Sequence, residues 1–341
     1  MSDNYFKDII GNGILTERLS RDIKENKLSH AYILEGPRGS GRHTIALNAA
    51  AALCCEERHG DVPCKKCRSC EKIFGGKSPD IITLGLEDDK ASIGVETVRF
   101  LRNDIHVAPN DLSTKVYIIE DADRMTVQAQ NAFLLSLEEP PSYILFFLIC
   151  ENSTDLLETV RSRAPSLRTE RLTHEQVEGY ILAHDKRARE LKETSEEDFK
   201  TLISVSSGSI GYALELLDTR RRKQVFEYRK TAASLISMLS SKNRQGALEA
   251  ISVFGTKRAE VTRQISFLQY AIRDLLLLKK SDDAPLCFFE DREEAIELST
   301  LFTANGLFAL YDASVTAVDD LEANSNVRLT LMNMMQSAKL I

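Results

Sequence analysis

The run Gly36-Pro37-Arg38-Gly39-Ser40-Gly41-Arg42-His43-Thr44 follows the spacing of a phosphate-binding loop, G-x-x-x-x-G-K-[ST]. In such a loop, backbone N–H groups wrap the phosphates, a lysine reaches the β and γ oxygens, and a hydroxyl holds Mg²⁺. Here the glycines Gly36, Gly39 and Gly41 are present, but Arg42 stands at the lysine position and His43 at the hydroxyl position, with Thr44 one place late. The cradle is kept and both side-chain tools are changed. A second group, Glu120-Asp121-Ala122-Asp123, ends an apolar run. A nucleotide hydrolase needs acids there to anchor the Mg²⁺ shell and to orient the attacking water. Solvated acids at a strand end read the same way.

A third group is richer in ligands than either. Cys54, Cys55, Cys64, Cys67 and Cys70 crowd into seventeen residues. The spacing Cys55-x8-Cys64-x2-Cys67-x2-Cys70 offers four thiolates, enough to close a tetrahedral structural Zn²⁺ site with no position left for catalysis. Lys65, Lys66 and Arg68 lie between the ligands and offset the charge of a four-thiolate centre. A reduced cluster that packs without metal is one alternative, and an iron–sulfur centre is another, since C-x2-C-x2-C also suits such clusters. Cys54 competes with Cys55 as first ligand, although its neighbours Ala51, Ala52 and Leu53 place it on the apolar face of a helix. Cys150 and Cys287 sit in apolar stretches and read as buried.

The elements that must position these groups alternate in the first half of the chain. Ala31 to Leu34 reads as a strand entering the glycine loop, and Ile45 to Leu53 as an alanine-rich helix leaving it, the context that a phosphate loop requires. Further strands are expected over 81–84, 115–120 and 143–150, and helices over 95–105, 126–137 and 154–162. The near-continuous apolar character of KVYIIE and of Tyr143 to Cys150 implies a parallel sheet covered on both faces, with ligands at its carboxyl edge. After Pro165 the pattern predicts no more strands. Short helices surround a charged stretch, and long amphipathic helices follow near 222–240, 245–253, 258–280 and 290–320. The run Arg220, Arg221, Arg222, Lys223 is read as a solvated helix start or a subunit-facing surface rather than a DNA patch, because four charges on one turn cannot all face one groove.

Composition bounds the rest. At 341 residues, 43% hydrophobic and 28% charged, the chain is of globular type and long enough for two or three domains. No apolar run reaches the roughly 18 residues of a membrane span. The first residues lack a charged-then-apolar signal pattern, so the expected location is the cytoplasm, with no membrane partner. A net charge of −7 argues against coating nucleic acid through the overall field.

Taken together, HAYILEGPRGSGRHT, PCKKCRSCEKI, SPDIITL, KVYIIEDADRM, QNAFLLSLEEPP and TVRSRA, within a stretch that starts at Asn4, closely resemble the clamp-loader subunits of bacterial DNA polymerase III, of the delta-prime type. The likeness continues through SSGSIGYALELL and LEANSNVRL. The resemblance implies an α/β AAA+ P-loop base domain over 1–168 with a zinc-binding insertion at 55–70, a small helical lid over 169–219 and a helical collar over 220–341. It also implies a hetero-pentamer with tau/gamma-type and delta-type subunits that places a sliding clamp on primed DNA.

By the same resemblance, Arg42 and His43 replace the lysine and threonine of the motor subunits. Glu120-Asp121 reverses their Asp-Glu order, and Gly211 stands where their lid arginine senses nucleotide. Ser162-Arg163-Ala164 matches their Ser-Arg-Cys motif, whose arginine reaches a neighbour's ATP site, with Arg161 nearby as the residue most easily confused with it. The implied subunit binds ATP or ADP without hydrolysing it, or not at all, and serves as an arginine finger in trans. An ATP-hydrolysing tau/gamma-type subunit and a zinc-dependent nucleic-acid-binding protein outside replication are the alternatives.

Overall fold

A computed structural model describes residues 6, 9–57, 63–86, 92–240, 244–284, 286–289 and 291–338, with main chain only for 244–248. Asn4, at the start of the resembling stretch, and the residues 58–62 between the first two candidate ligands lie outside the described residues. The chain divides into two compact units, Met1–Val177 with Gly208–Tyr212, and Glu178–Ser207 with Ala213–Ile341.

The first unit runs α1 (Gly13–Lys24), β1 (Ala31–Glu35), α2 (Arg42–Cys54), α3 (Arg68–Phe74), β2 (Ile81–Leu84), α4 (Val95–Asp104), β3 (Lys115–Ile119), α5 (Val127–Glu138), β4 (Ile144–Cys150), α6 (Glu158–Arg161) and β5 (Ser166–Arg168). The five strands form one sheet of order β2-β3-β4-β1-β5, in which every pairing is parallel. All seven residues of β4 are buried, as are all five of β1 and of β3. Strands with both faces covered need apolar residues at every position rather than at alternate ones. Tyr32, Leu34, Val116, Ile118, Leu145 and Phe147 face a core shared with α1, α2 and α3. Ile33, Tyr117, Ile119, Phe146 and Leu148 face the other, shared with α4, α5 and α6. Each such side chain contributes on the order of 1.5–3 kcal/mol on burial. On α2, Ala46, Ala49, Ala50, Ala51 and Ala52 are fully buried. Their small side chains, good helix formers, bring the helix axis close to the sheet.

Two expectations about elements are corrected. A fifth strand follows Pro165: β5 pairs with β1 through Ile33↔Ser166, Leu34↔Leu167 and Glu35↔Arg168. At three residues, with only Leu167 buried, it is too short to leave a period-two signal. The helix expected over 154–162 is broken, with a 3₁₀ turn at Ser153–Asp155, extended Leu156 and Leu157, and the single turn of α6.

The second unit is helical. Helix α7 (His174–His184) spans the division, and α8 (Lys186–Thr194) and α9 (Glu196–Ser206) follow. Next come α10 (Ile210–Leu216), α11 (Thr219–Ser240), α12 (Arg244–Val253), α13 (Arg258–Leu278), α14 (Arg292–Leu301), α15 (Ala304–Glu322) and α16 (Val327–Ser337). One core joins α11 to α16, with Leu235, Ile236, Ile265, Leu268, Ile272, Leu275, Leu307 and Leu321 at or near zero exposure. The helix expected over 290–320 is two helices bent by 96°. Phe302 closes the first, and the Thr303 side chain caps the second by accepting from Gly306 N–H at 3.1 Å. No single helix among the described residues is long and apolar enough to cross a membrane.

Asp274 on α13 is wholly buried. It accepts N–H groups of Cys287 (2.9 Å), Phe288 (2.7 Å) and Phe289 (3.3 Å), fixing the segment that enters α14. Cys287 is only half-buried, against expectation, with the Arg273 guanidinium 3.0 Å from its sulfur. Cys150 is buried as expected, which pushes its thiol up to about 12.

Candidate functional site

The parallel order brings the carboxyl ends of β1, β3 and β4 to one edge, where α/β sheets bind ligands. Gly36 leaves β1 with its N–H bonded to Cys150 O at 3.1 Å. Gly39 (φ 76°) and Gly41 (φ 86°) take left-handed conformations that cost other residues energy. The loop thereby turns into the N-terminus of α2, whose open N–H groups attract anions. Arg42 is 7% exposed, and its guanidinium makes no hydrogen bond or ion pair among the described residues. Its nitrogens are not sealed from solvent: the buried, unpaired side-chain polar atoms among the described residues are His30 Nε2 and Ser136 Oγ. It lies close enough to Cys150 for its charge to favour that thiolate, which places it at the strand ends beside the cradle.

The metal half of the loop is differently arranged. His43 Nδ1 donates to Glu120 Oε1 at 2.5 Å, so the residue at the motif's hydroxyl position is bonded to the acid that follows β3. Thr44, one residue further along α2, is exposed and points about 100° away around the helix. Asp121 is exposed, with φ 49°. Magnesium prefers oxygen ligands in a near-ideal octahedron. An imidazole tied to the Glu120 carboxylate does not fit that ion.

Beneath the loop lies a network that the sequence reading missed. Glu35, 7% exposed, accepts from Ser153 Oγ (2.7 Å), Ser166 Oγ (3.3 Å) and Arg168 Nη2 (2.7 Å). Burial alone would raise its carboxyl, but the hydrogen bonds from Ser153, Arg168 and Ser166 outweigh it and hold it below its ordinary value. Thr169 donates its N–H (2.7 Å) and hydroxyl (3.2 Å) to Glu35 O and meets Ser40 Oγ at 2.9 Å. These contacts tie the ends of β1, β4 and β5 together under the cradle. The one available signal was an acid closing the otherwise apolar run AYILE.

Gly211 lies directly on the loop. Its N–H donates to Gly39 O at 3.1 Å, and Ser209 Oγ donates to Arg38 O at 3.1 Å. A Cβ at Gly211 would stand 2.8 Å from Gly39 Cα, and one at Gly39 would stand 2.3 Å from Ser209 Oγ. The absence of a side chain at Gly211 is therefore what allows backbone to lie against backbone.

Arg163 stands on the turn between α6 and β5. Its Nη2 meets Glu138 Oε1 of α5 at 3.0 Å and its Nη1 donates to Thr159 O at 3.0 Å, with the side chain 35% exposed. Arg161 is exposed, and its guanidinium makes no bond among the described residues. Ala164 is 1% exposed, so the position where the motif has cysteine serves packing.

The cysteines converge. The sulfurs of Cys55, Cys64, Cys67 and Cys70 all lie within 4.8 Å of one another, with Cys55–Cys67 and Cys64–Cys70 at 4.0 Å. A tetrahedral centre with metal–sulfur bonds of about 2.3 Å has sulfur–sulfur edges of about 3.8 Å. Cys64 Sγ accepts N–H of Cys67 (3.2 Å) and Lys66 (3.5 Å), and Cys67 Sγ accepts that of Cys70 (3.5 Å). Burial raises the Cys55 and Cys70 thiols. Burial would raise Cys67, yet the backbone donors and neighbouring thiols bring it down to about 7. Cys54 is no competitor: its sulfur turns to Thr114 O (4.0 Å) and Ser113 Oγ (3.7 Å). The four residues fit a bound metal.

The basic run in the helical unit is largely used locally. Arg221 pairs with Glu215 at 2.8 Å, and Arg222 donates to Leu216 O and Leu217 O at 3.3 Å, closing the end of α10.

A family model described as DNA polymerase III, delta subunit, matches residues 11–173, just under half of the chain. The tau subunit of DNA polymerase III from Bacillus subtilis (strain 168) is 28% identical over 327 residues, 90% of this chain and 56% of that protein. The gamma subunit from Buchnera aphidicola subsp. Schizaphis graminum is 32% identical over 213 residues, 62% of this chain and 57% of that protein. The delta-prime subunit of Bacillus subtilis (strain 168) is 34% identical over 167 residues, 49% of this chain and 50% of that protein. The chain thus spans a little over half the length of the first curated relatives it matches. Among solved structures, a gamma subunit-related protein from Thermotoga maritima aligns at 18% identity and TM-score 0.44, covering 94% of this chain and 98% of that one. With its phosphate loop on a five-stranded parallel sheet and its cysteine insertion after α2, the chain is similar to the tau, gamma and delta-prime subunits of bacterial DNA polymerase III.

Proposed function

We propose that the chain is a delta-prime-type subunit of the clamp loader, one that hydrolyses no ATP itself and lends Arg163 to a neighbouring subunit's ATP site. The observation that carries this reading is the His43–Glu120 hydrogen bond, which occupies the place where a motor subunit holds Mg²⁺. The arginine at the lysine position, the reversed acids and Gly211 add to it. Catalysis of phosphoryl transfer depends on positioning and charge, and each lost contact of this kind costs on the order of 10² to 10³ in rate.

In this reading Arg163 rests on Glu138 until a neighbour's γ-phosphate replaces that carboxylate, exchanging one anion for another. The lid is residues 169–219 and the collar 220–341. The collar joins tau/gamma-type and delta-type subunits in a cytoplasmic hetero-pentamer that sets the sliding clamp on primed DNA. The four cysteines hold a structural Zn²⁺, which supplies a fixed tetrahedral centre and no open coordination position. The test is turnover: the isolated chain should show none above background, and Arg163→Ala should depress ATPase of the assembled complex. An unaffected complex overturns the finger role.

A second reading, an ATP-hydrolysing tau/gamma-type subunit, is favoured by the Bacillus subtilis tau protein matching 90% of this chain. Turnover by the purified chain that disappears in Arg42→Ala would establish it instead.

A further inference from the structure

We infer that Gln130 is the positioning residue of Arg163: a buried amide on α5 that makes no contact with the arginine and fixes the segment that carries it. Arg163 follows the single turn of α6. A helix of four residues has no stability of its own, because nucleation costs more than the few bonds of one turn return. Its start has no local cap either, since Leu157 at the N-cap position makes no side-chain bond. The segment must therefore be set from outside, and Gln130 is placed to set it. Its Oε1 accepts the N–H of Leu157 at 2.7 Å, and its Nε2 donates to Met125 O at 3.1 Å and to Asp155 O at 3.4 Å.

Gln130 is 2% exposed, among the buried residues Ala129, Phe133 and Leu137 of α5. An apolar side chain would fill that place without the cost of withdrawing an amide from water. What the amide adds is direction: it ties the exit of the 3₁₀ turn and the entry of α6 to the helix that presents Glu138 to Arg163, about two turns further along. From Leu157 the backbone carries that placement forward, with Val160 N–H on Leu157 O at 3.0 Å and Arg163 N–H on Val160 O at 3.1 Å. Glu35 holds Ser153 and Ser166, at the two ends of the same segment. Gln130 holds its middle, so a shift at Leu157 is passed on to Arg163.

The effect on a neighbour's ATP rests on the role proposed for Arg163, whereas the hold on Arg163 does not, so the two are measured apart. The first measurement is hydrogen exchange on the isolated full chain. The Leu157 amide should be protected in the wild type. Gln130→Met, which keeps the length and removes the acceptor, should speed exchange over 157–163 by about tenfold, the range of one hydrogen bond, and leave β4 unchanged. The second is steady-state ATPase of the assembled complex. Gln130→Met should lower kcat by about tenfold with KM for ATP unchanged, as expected of a misplaced group that acts on the transition state. Gln130→Glu, which keeps the acceptor for Leu157, should restore most of the rate. In an Arg163→Ala background, Gln130→Met should cost nothing further, because both changes remove one contribution. A freely exchanging Leu157 amide in the wild type, unchanged protection in Gln130→Met, or a full additional loss of rate on top of Arg163→Ala each overturns the inference. Lost protection in Gln130→Met beside an unaffected Arg163→Ala complex overturns the finger role alone and supports the hold on Arg163.

Discussion

The cysteine module and the phosphate loop lie at opposite ends of α2, and they differ in how their parts are assembled. All four cysteines come from residues 55–70, three of them from a seven-residue stretch, and their sulfurs converge within 4.8 Å. The loop draws on the ends of β1, β3, β4 and β5 and on the 208–212 segment. Its bonds join residues 77 apart (His43 and Glu120) and 133 apart (Glu35 and Arg168). A tetrahedral centre uses every ligand at once, so losing one loses the site. A phosphate loop is divisible, since backbone can go on holding phosphate after the side chains for metal and water have changed. The module keeps its whole ligand set, and the loop keeps only the half that backbone supplies.

That contrast breaks first at the metal. Structural zinc in small modules is worth about 10–16 kcal/mol of apparent binding free energy, so a strong chelator, or Cys67→Ser, should unfold the segment around α3 and leave β4 intact. Hydrogen exchange would show protection lost over 63–74 alone; α3 amides that stay protected without metal would remove the all-or-none half of the comparison. Next comes Arg163→Ala, expected to lower the ATPase of the complex by about 10³ with no change in the melting temperature of the free chain. A smaller effect is expected from Glu35→Ala, which strands two hydroxyls and should destabilise the first unit by about 2 kcal/mol. Because the folded Glu35 carboxyl lies below its ordinary value of 4.5, its contribution is present above that pH and is lost as pH falls through the folded value. Glu35→Gln should therefore flatten the acid limb of a stability-versus-pH curve, and an unchanged limb would take Glu35 out of the account. Smallest is Gly211→Ala, whose Cβ would meet Gly39 Cα at 2.8 Å. A loss of about 1 kcal/mol, read from chemical denaturation, would show that the 208–212 segment bears on the loop. No loss would show that the contact is loose.

Legibility followed the range of each interaction. The β1-loop-α2 unit, the three long strands and the four-cysteine spacing are local patterns, and the residue types announce them. Strand β5 was missed because three residues cannot display a period, and its place is settled by the edge of β1 that it completes. The split of 290–320 was missed because apolar residues continue on both sides of Phe302 and Thr303, where the two helices bend by 96°. Cys54 and Cys55 are chemically equal in the sequence. They parted only when the end of α2 aimed one sulfur at Ser113 and the other at the ligand cluster.

What this sequence determined by itself is chemical capacity. It determined that a glycine cradle has an arginine and a histidine where a lysine and a hydroxyl belong, that four thiols stand at ligand spacing, and that an arginine follows Ser162. Tertiary structure decided the state of those groups. It set His43 against Glu120, left Arg42 largely buried with no bond among the described residues, placed Glu138 beside Arg163, and laid Gly211 on Gly39. The physical reason is that residue type specifies what a side chain can bond, whereas the partner it bonds is chosen by the sheet order and by packing between segments far apart in the chain.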